Sequence, residues 1–439
     1  MQNKVQNKVQ NKVQTTAKIN VQASESDMSE QYDIVIVGAG MVGLALANLL
    51  AQQGIAAKIA VIDHHSLRDD DKPYQESFDS RSTALAPSSV DILKTIGLWP
   101  AIADHATPIK HVQISDRGHA GWAQYESERA GMEALGYVVD NIWLGQQLIR
   151  AALNHVSIQH YAPAGVNACR PKCDGVELSL TTESGDFEIH AGLLVLADGA
   201  ESKLARDLGI QFSLKDFTQS AIIANVEHTK AHQCCAYERF TAQGPLALLP
   251  LGEGVSSHTS ALVWTHPKAN AESAMALSES DFLAALQKNF GHELGAFTEL
   301  SQRHSYPLVQ SIAQEQHRSS LVLMGNAAHF LHPVAGQGFN LALRDCAELC
   351  AQLQHSRDIG RGVGDLSGLE AYVHARRMDQ YATGSLSNAF IKTFSSDKLA
   401  VQVLRNMALL GLNQSGPIKS LFFEQMMGLG GRAAKLKTA

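Results

Sequence analysis

The run Tyr32-Asp33-Ile34-Val35-Ile36-Val37 is β-branched and apolar with little alternation, the pattern of a parallel strand covered on both faces. Residues 44–53 follow with helical periodicity and stop at Gly54, and a second apolar strand, 58–62, ends at Asp63. Further along, Leu193-Leu194-Val195-Leu196 predicts another buried strand that runs into a turn at Asp198-Gly199. Leu321-Val322-Leu323-Met324 predicts a third strand of the same kind. Beyond Asn340 the apolar positions Leu341, Leu343, Cys346, Ala347, Leu349 and Cys350 mark a helix whose polar positions are Arg344, Asp345 and Glu348. Between residues 211 and 302 the pattern changes to the alternation of an antiparallel sheet, as in 220–226 and 262–264. The one long apolar run, 34–50, carries three glycines and is slightly short for a membrane span. A strand entering a helix accounts for it, and no transmembrane helix is expected.

The loop between the first strand and helix reads Gly38-Ala39-Gly40-Met41-Val42-Gly43. Gly38 permits the tight turn, Gly40 lets backbone approach a pyrophosphate, and Gly43 lets helix and strand pack closely. The helix N-terminus offers free N–H groups and a positive dipole end to phosphates. Asp63 lies 20 residues past Gly43, at the tip of the second strand, where a carboxylate can accept hydrogen bonds from ribose hydroxyls. Strand, helix, strand and acid together predict a dinucleotide site, without separating FAD from NAD. Asp198 stands at a strand's carboxyl end, where α/β sheets place ligands, although Asp-Gly is also an ordinary turn. After the third strand come Gly325-Asn326-Ala327-Ala328-His329 and then His332-Pro333-Val334-Ala335-Gly336-Gln337-Gly338-Phe339-Asn340. Gly336 and Gly338 free the backbone just before a helix, a second cradle for an anion or a carbonyl oxygen. Asn326 is placed to hydrogen-bond a polyol chain. His329 and His332 sit in a Pro- and Gly-flanked loop with no carboxylate or Cys ligand nearby in sequence, so no metal site is assigned.

Composition narrows the reading further. The chain has 439 residues, 45% apolar and 18% charged, enough for roughly three domains and a large core. Lys and Arg total 36 against 43 Asp and Glu, a formal charge of −7 that argues against nucleic acid as partner. Six cysteines are too few to staple this length, and Cys169 and Cys173 lack a second pair for a metal. They are read as reduced thiols, pointing to the cytosol. The Asn-Lys-Val-Gln repeat over residues 2–14 has no apolar stretch for a secretory signal, and the segment up to about residue 30 reads as a solvated tail. Residues 398–439 carry six basic side chains and one acid, Glu424, a local +5 interleaved with Leu, Val, Met and Phe. That is the composition of a helix that lies on an anionic membrane or docks a partner, or else packs on the main body.

In this order and spacing the three motifs resemble those of the flavin aromatic hydroxylases built like p-hydroxybenzoate hydroxylase. Within them the chain is most similar to the ubiquinone-biosynthesis hydroxylases, in particular the 2-octaprenyl-6-methoxyphenol hydroxylase branch. Supporting segments are Phe78-Asp79-Ser80-Arg81-Ser82-Thr83-Ala84-Leu85, Leu135-Gly136-Tyr137-Val138-Val139-Asp140, Tyr237-Glu238-Arg239-Phe240 with Gly244-Pro245-Leu246-Ala247-Leu248-Leu249-Pro250, and Ser305-Tyr306-Pro307-Leu308. The resemblance spans roughly residues 32–430 and implies an α/β fold: a Rossmann-like FAD-binding domain with an inserted mixed β-sheet substrate domain and a C-terminal helical region. Its implied boundaries are a tail over 1–30, an FAD-binding domain from 31–105, 137–210 and 303–375, a substrate domain from 106–136 and 211–302, and a helical region over 376–439.

By that resemblance Gly38, Gly40, Gly43 and Asp63 hold the ADP moiety of FAD, and Arg81 lies near the flavin and its phosphates. Asp198 and Gly199 belong to the motif that meets both FAD and the passing nicotinamide. Asn326 meets the ribityl chain and the stretch from Gly336 through Gly338 to Asn340 the isoalloxazine edge, with Gly325 and Pro333 in the same cofactor-binding segments. The Arg usually found seven residues after the Asp of the Asp-Gly motif is Ala205 here, with Arg206 one place late. Asp63 stands for the commoner Glu, and Asn326 for the commoner Asp, a change associated with this branch. The implied chemistry is reduction of FAD by NAD(P)H, addition of O2 at the flavin C4a as a hydroperoxide, and hydroxylation of a polyprenylated phenol. His329 and Tyr237 are candidate bases that are more often structural, and no catalytic base is assigned. Phe240, Leu246, Leu248, Leu249 and Trp264 could line a prenyl passage, or be plain core. The implied place is the cytoplasm, with peripheral contact at the inner face of the inner membrane or with other quinone-synthesis proteins. A sister hydroxylase acting at another ring position, a same-fold prenyl reductase and a non-catalytic FAD-holding scaffold stay open.

Overall fold

The computed structural model describes residues 30–68, 81–118, 121–200, 202–252, 254, 256–331 and 337–394, with Lys419 and Phe423. The chain opens with β1 (Glu30–Val37), α1 (Met41–Gln52) and β2 (Ile59–Ile62), then β3 (Ser82–Leu85), α2 (Pro87–Thr95) and α3 (Trp99–Ala103). It continues through β4 (Thr107–Ile109), β5 (His111–Asp116), β6 (Trp122–Glu126), β7 (Gly136–Asp140), α4 (Asn141–Leu153) and β8 (Ile158–Tyr161). Next come β9 (Ala164–Lys172), β10 (Gly175–Thr182), β11 (Gly185–Leu196), α5 (Lys203–Asp207), β12 (Phe212–His228), β13 (Cys235–Thr241), β14 (Gly244–Leu251) and β15 (Thr259–Pro267). The remainder is α6 (Lys268–Met275), α7 (Glu279–Phe290), β16 (Phe297–Leu300), β17 (His304–Ala313), β18 (His317–Arg318), β19 (Leu321–Leu323), a 3-10 turn at Gly325–Ala327, β20 (His329–Phe330), α8 (Gln337–Asp358) and α9 (Leu366–Phe394).

The first sheet runs β18-β19-β11-β1-β2-β8, with β10 and β9 continuing from β11 as antiparallel strands. Its central strands β19, β11, β1, β2 and β8 are parallel, as the apolar runs 34–37, 59–62, 193–196 and 321–323 lead one to expect. Ile34 and Ile36 face one side, where α1, α4, α8 and α9 bury them; Val35 and Val37 face the other, under β9 and β10. Helix α1 is apolar nearly all round because it is enclosed between the sheet, α4 and α8. It begins at Met41, three residues before its apolar pattern does.

The second sheet runs β20-β17-β12-β15-β14-β13-β5-β6, antiparallel except where β13 meets β5. The segment read as alternating does form antiparallel strands, β12 to β15. The same segment also holds α6 and α7, which cover one face of the sheet. There Ile222, Val226, Leu246, Leu248, Leu262 and Trp264 pack against Phe282, Leu286 and Phe290. So Leu246, Leu248 and Trp264 are plain core. A small sheet, β3-β7-β4, bridges toward the other face of the second sheet.

The polar positions of α8 differ most from their pattern. Arg344 and Asp345 are 1% and 0% exposed, because α9 lies across them and brings its own charges. Asp345 accepts hydrogen bonds from His329 Nε2 at 2.6 Å and from Arg376 Nε, and Asp379 is held by Arg344 at 2.8 Å and by Arg376. All six cysteines are free thiols, and Cys346 and Cys350 are buried in the α1–α8 core.

Candidate functional site: a crevice at the ends of four parallel strands

Gly38, Asp63, Asp198 and Gly325 each follow the carboxyl end of a different strand, β1, β2, β11 and β19. Those strands are adjacent in the order β19-β11-β1-β2, so the four residues line one edge over roughly 14 Å at the usual spacing between strands. Gly38 is at φ +106°, and a Cβ there would stand 2.4 Å from the Ala197 carbonyl oxygen. Its own N–H donates to the Ile62 carbonyl at 2.8 Å, which ties the loop to the tip of β2. A Cβ on Gly43 would come 1.9 Å from the Gly38 carbonyl oxygen, so the helix can lie this close to the turn only without a side chain. Gly40 occupies the N-cap position, extended and without a side-chain cap, and no acid stands in the first turn of α1. The leading N–H groups of that helix are therefore left for an anionic ligand.

Asp63 has two duties. Oδ2 accepts the Ala39 N–H of the glycine loop at 2.7 Å, and Oδ1 accepts the His65 N–H at 2.8 Å. The carboxylate thus fixes the loop while remaining at the strand tip. Asp198 is held differently. Burial pushes its carboxyl above the ordinary Asp value, against the pull of the Ser202 hydroxyl and of the His64 and Arg206 charges. Its Oδ1 is buried without a hydrogen-bond partner among the described residues. An orphaned carboxylate oxygen is costly unless a ligand donor meets it. Gly199 follows at φ +95°, and Ala205, where an Arg is usual, is fully buried while Arg206 is exposed.

Gly325, at φ +59°, approaches Val42 of α1 so closely that a Cβ would stand 3.0 Å from its methyl groups. Asn326 is exposed beside it, so the third motif abuts the first. Arg81 stacks on the Tyr306 ring at 4.8 Å, joining the segment ahead of β3 to the second sheet. Gly338 and Asn340 lie in the first turn of α8, which starts at Gln337 and not after Asn340. The Asn340 side chain is engaged within the protein: Oδ1 accepts from Ala86 N–H and Ser89 Oγ, and Nδ2 donates to the Ala84 carbonyl, all at 2.7 Å. It fastens α8 to the β3–α2 corner. Pro333 and Gly336 lie outside the described residues.

Of the two candidate bases, His329 is 3% exposed with Nε2 spent on Asp345. Tyr237 points at α7, edge-on to Phe290 at 5.4 Å, and burial raises its hydroxyl well above the usual phenol value. Neither is presented to the open face of the second sheet. That face was not anticipated from sequence as a unit. On it Ala247, Leu249, Leu251, Val263 and Ile223 are half-buried, whereas their neighbours on the helix side are closed. Strand alternation was the available signal, once the buried side is known. Among the described residues no cluster of His, Cys, Asp or Glu is arranged to hold a metal, and no helix is long and apolar enough to cross a membrane.

The glycine-walled turn, the uncapped helix, the strand-tip Asp63 and the orphaned Asp198 oxygen fit an extended dinucleotide laid along the strand ends. The comparisons with known proteins agree. The family model described as "FAD binding domain" matches residues 31–383. The ubiquinone hydroxylase UbiL of Rhodospirillum rubrum is 33% identical over 396 residues, 90% of this chain and 89% of that protein. The 3-demethoxyubiquinol 3-hydroxylase of Escherichia coli is 30% identical over 401 residues, 90% of this chain and 98% of that protein. In fold, the p-nitrophenol 4-monooxygenase of Pseudomonas putida superposes with TM-score 0.75 at 17% identity, covering 92% of this chain and all of that one. FAD is therefore the cofactor, and NAD(P)H and O2 are the usual co-substrates of such enzymes. The chain belongs to the FAD-binding domain family, among the flavin hydroxylases related to the ubiquinone hydroxylases, and is an FAD-dependent monooxygenase.

Proposed function

We propose that this monooxygenase hydroxylates the ring of a polyprenylated methoxyphenol in ubiquinone biosynthesis, with 2-octaprenyl-6-methoxyphenol as the expected substrate. One oxygen atom of O2 enters the ring, the other leaves as water, and NAD(P)H supplies the two electrons. Bound FAD supplies the electron transfer from NAD(P)H and the activation of O2. The chain supplies the rest: strand-end loops that orient the cofactor, and a face that receives an apolar ring and excludes water from it.

The observation that carries the substrate class is that half-open face of the second sheet. Leu249, Leu251, Val263, Ile223 and Ala247 form an apolar wall, and Arg81, ahead of β3, stacks on Tyr306 at its β17 edge. A prenyl-bearing phenol gains by burying apolar area against such a wall. A substrate of that kind resides in a membrane, so peripheral contact at the inner face of the inner membrane, through the basic residues of 398–439, belongs to the same reading. Those residues lie outside the described structure apart from Lys419 and Phe423.

The test is purified, FAD-loaded protein with NAD(P)H, 18O2 and 2-polyprenyl-6-methoxyphenol. A product carrying one 18O atom, formed nearly one-to-one with NAD(P)H consumed, is expected. Saturation of a prenyl double bond without oxygen uptake would move the protein to the reductases. Lipids from a strain lacking the gene settle the step: accumulation of an intermediate other than the methoxyphenol assigns another ring position.

A further inference from the structure

Side chains alternate across β13, and the alternation singles out Glu238. Its neighbours Tyr237 and Arg239 face α7: Tyr237 meets Phe290, and Arg239 bonds Ser115 and Glu293. Glu238 therefore points to the opposite, half-open face. Register places it in one row with Ile114 of β5, Ala247 of β14, Val263 of β15 and Ile223 of β12. The adjoining row contains Ala236, Leu249, Ala261 and Asn225. Ile114, Ala236 and Leu249 belong to the cluster with Ile109, Val138 and Ala84 of the small sheet. Glu238 is thus a carboxylate set among mainly apolar neighbours, with Asp116 of β5 the other acid on this face of the sheet.

A carboxylate kept there for structure would be ion-paired or fully hydrated. Glu238 has neither a hydrogen-bond nor an ion-pair partner among the described residues, and it is half-buried. Burial alone pushes its carboxyl up to about 7. The charged and titratable groups around this face, Asp116 on β5, Tyr125 on β6, His304 and Tyr306 on β17, Arg81 ahead of β3 and Asp140 at the end of β7, contribute nothing to that shift.

We propose that Glu238 is the general base that takes the proton of the substrate's phenolic hydroxyl as the ring is hydroxylated, an assignment that rests on the phenol-hydroxylase reading. The phenolic O–H bond breaks and an O–H bond forms on a Glu238 carboxylate oxygen. The electron pair of the broken bond stays on the phenolic oxygen and raises electron density at the ring carbon that is attacked. No oxidation state changes in this step, and the proton passes to water when product leaves. The apolar wall serves the base directly. It makes the carboxylate a better proton acceptor than an ordinary Glu, and it leaves the phenol as the hydrogen-bond donor that the carboxylate meets.

The test uses the FAD-loaded holoenzyme. Single-turnover hydroxylation should rise with pH through about 7 in the unaltered protein. Glu238→Gln should keep its flavin and still oxidise NAD(P)H to peroxide, while hydroxylation falls by about 10²–10⁴-fold and the limb near neutrality disappears. Glu238→Asp, which keeps a carboxylate, should retain the limb. A second readout needs no turnover and no variant. Binding of 2-methoxy-6-prenylphenol should tighten as pH rises through the same range, and binding of its methyl ether, which has no proton to donate, should not. Equal pH dependence for phenol and ether overturns the proposal, as does wild-type hydroxylation by Glu238→Gln with its limb intact. Failure of the phenol-hydroxylase reading looks different: the unaltered protein yields no hydroxylated phenol at any pH, and the proposal falls with it.

Discussion

His266 shows how a single side chain can set part of the protein's acid sensitivity. It is 2% exposed on β15, its ring lies 4.4 Å from that of Trp264, and both ring nitrogens are without partners among the described residues. Burial pushes its imidazolium down to about 4. The unfolded chain binds this proton near the ordinary histidine value of about 6.5, so between those values the unfolded state holds more protons. The stability that neutral His266 allows is complete above about pH 6.5 and is lost as pH falls toward 4. The slope reaches at most about 1.4 kcal/mol per pH unit. His266→Phe keeps a ring against Trp264 and has nothing to protonate. Urea unfolding at pH 7 and pH 5 should therefore show the unaltered protein losing more stability than the variant, by roughly that slope per unit crossed. Equal losses in the two proteins would remove His266 from the account.

At the scale of elements, what was legible and what was not divide along local and long-range information. The β1–α1–β2 unit could be read because its signals lie within some thirty residues: apolar strand, glycine spacing, helix and terminal acid. Its geometry then follows from sterics at Gly38 and Gly43, which any observer of the sequence can anticipate. Helix α8 could be found by period but not oriented. Arg344 and Asp345 look like a solvent face because polarity normally sorts that way. Their true surroundings are set by Arg376 and Asp379 on α9, more than thirty residues away, and by His329 on β20. Asn340 likewise looks like ligand chemistry, yet bonds a corner more than 250 residues earlier in the chain. Burial raises the cost of ionising Asp345, but the charges of His329 and Arg376 outweigh it and hold the carboxyl below its ordinary range. Asp345→Asn leaves Arg376 and His329 facing a neutral amide, with Asp379 as the remaining charged partner of Arg376. It should cost about 3–5 kcal/mol of unfolding free energy, the usual penalty for removing one partner of a buried ion pair. A loss below about 1 kcal/mol would mean that Asp379 alone, or water, satisfies Arg376.

At the scale of the molecule, two sheets of different character are set against one another, and on the proposed reading the reaction is divided between them. The parallel sheet presents backbone and carboxylates at its strand ends, suited to a charged dinucleotide. The second sheet presents a mainly apolar face, suited to a greasy aromatic ring, and Arg81, ahead of β3, stacks on Tyr306 at that sheet's β17 edge. Leu249 tests this division. It is half-buried on the open face, clear of the helix-side core, and no strand-end loop depends on it. Leu249→Asn replaces an apolar contact with one that must be desolvated, a loss of about 1.5–3 kcal/mol for a substrate that buries its prenyl chain there. kcat/KM for a prenylated phenol should therefore fall by roughly 10- to 150-fold, and by less than about 3-fold for the same phenol without the prenyl group. Flavin content and NAD(P)H oxidation without substrate should not change on that reading, which lays the cofactor along the other sheet's edge. If both phenols lose activity together, the wall serves the ring or the fold and the prenyl chain travels elsewhere. If neither does, the apolar face is not where the substrate lies, and the crevice must be approached from the α9 side.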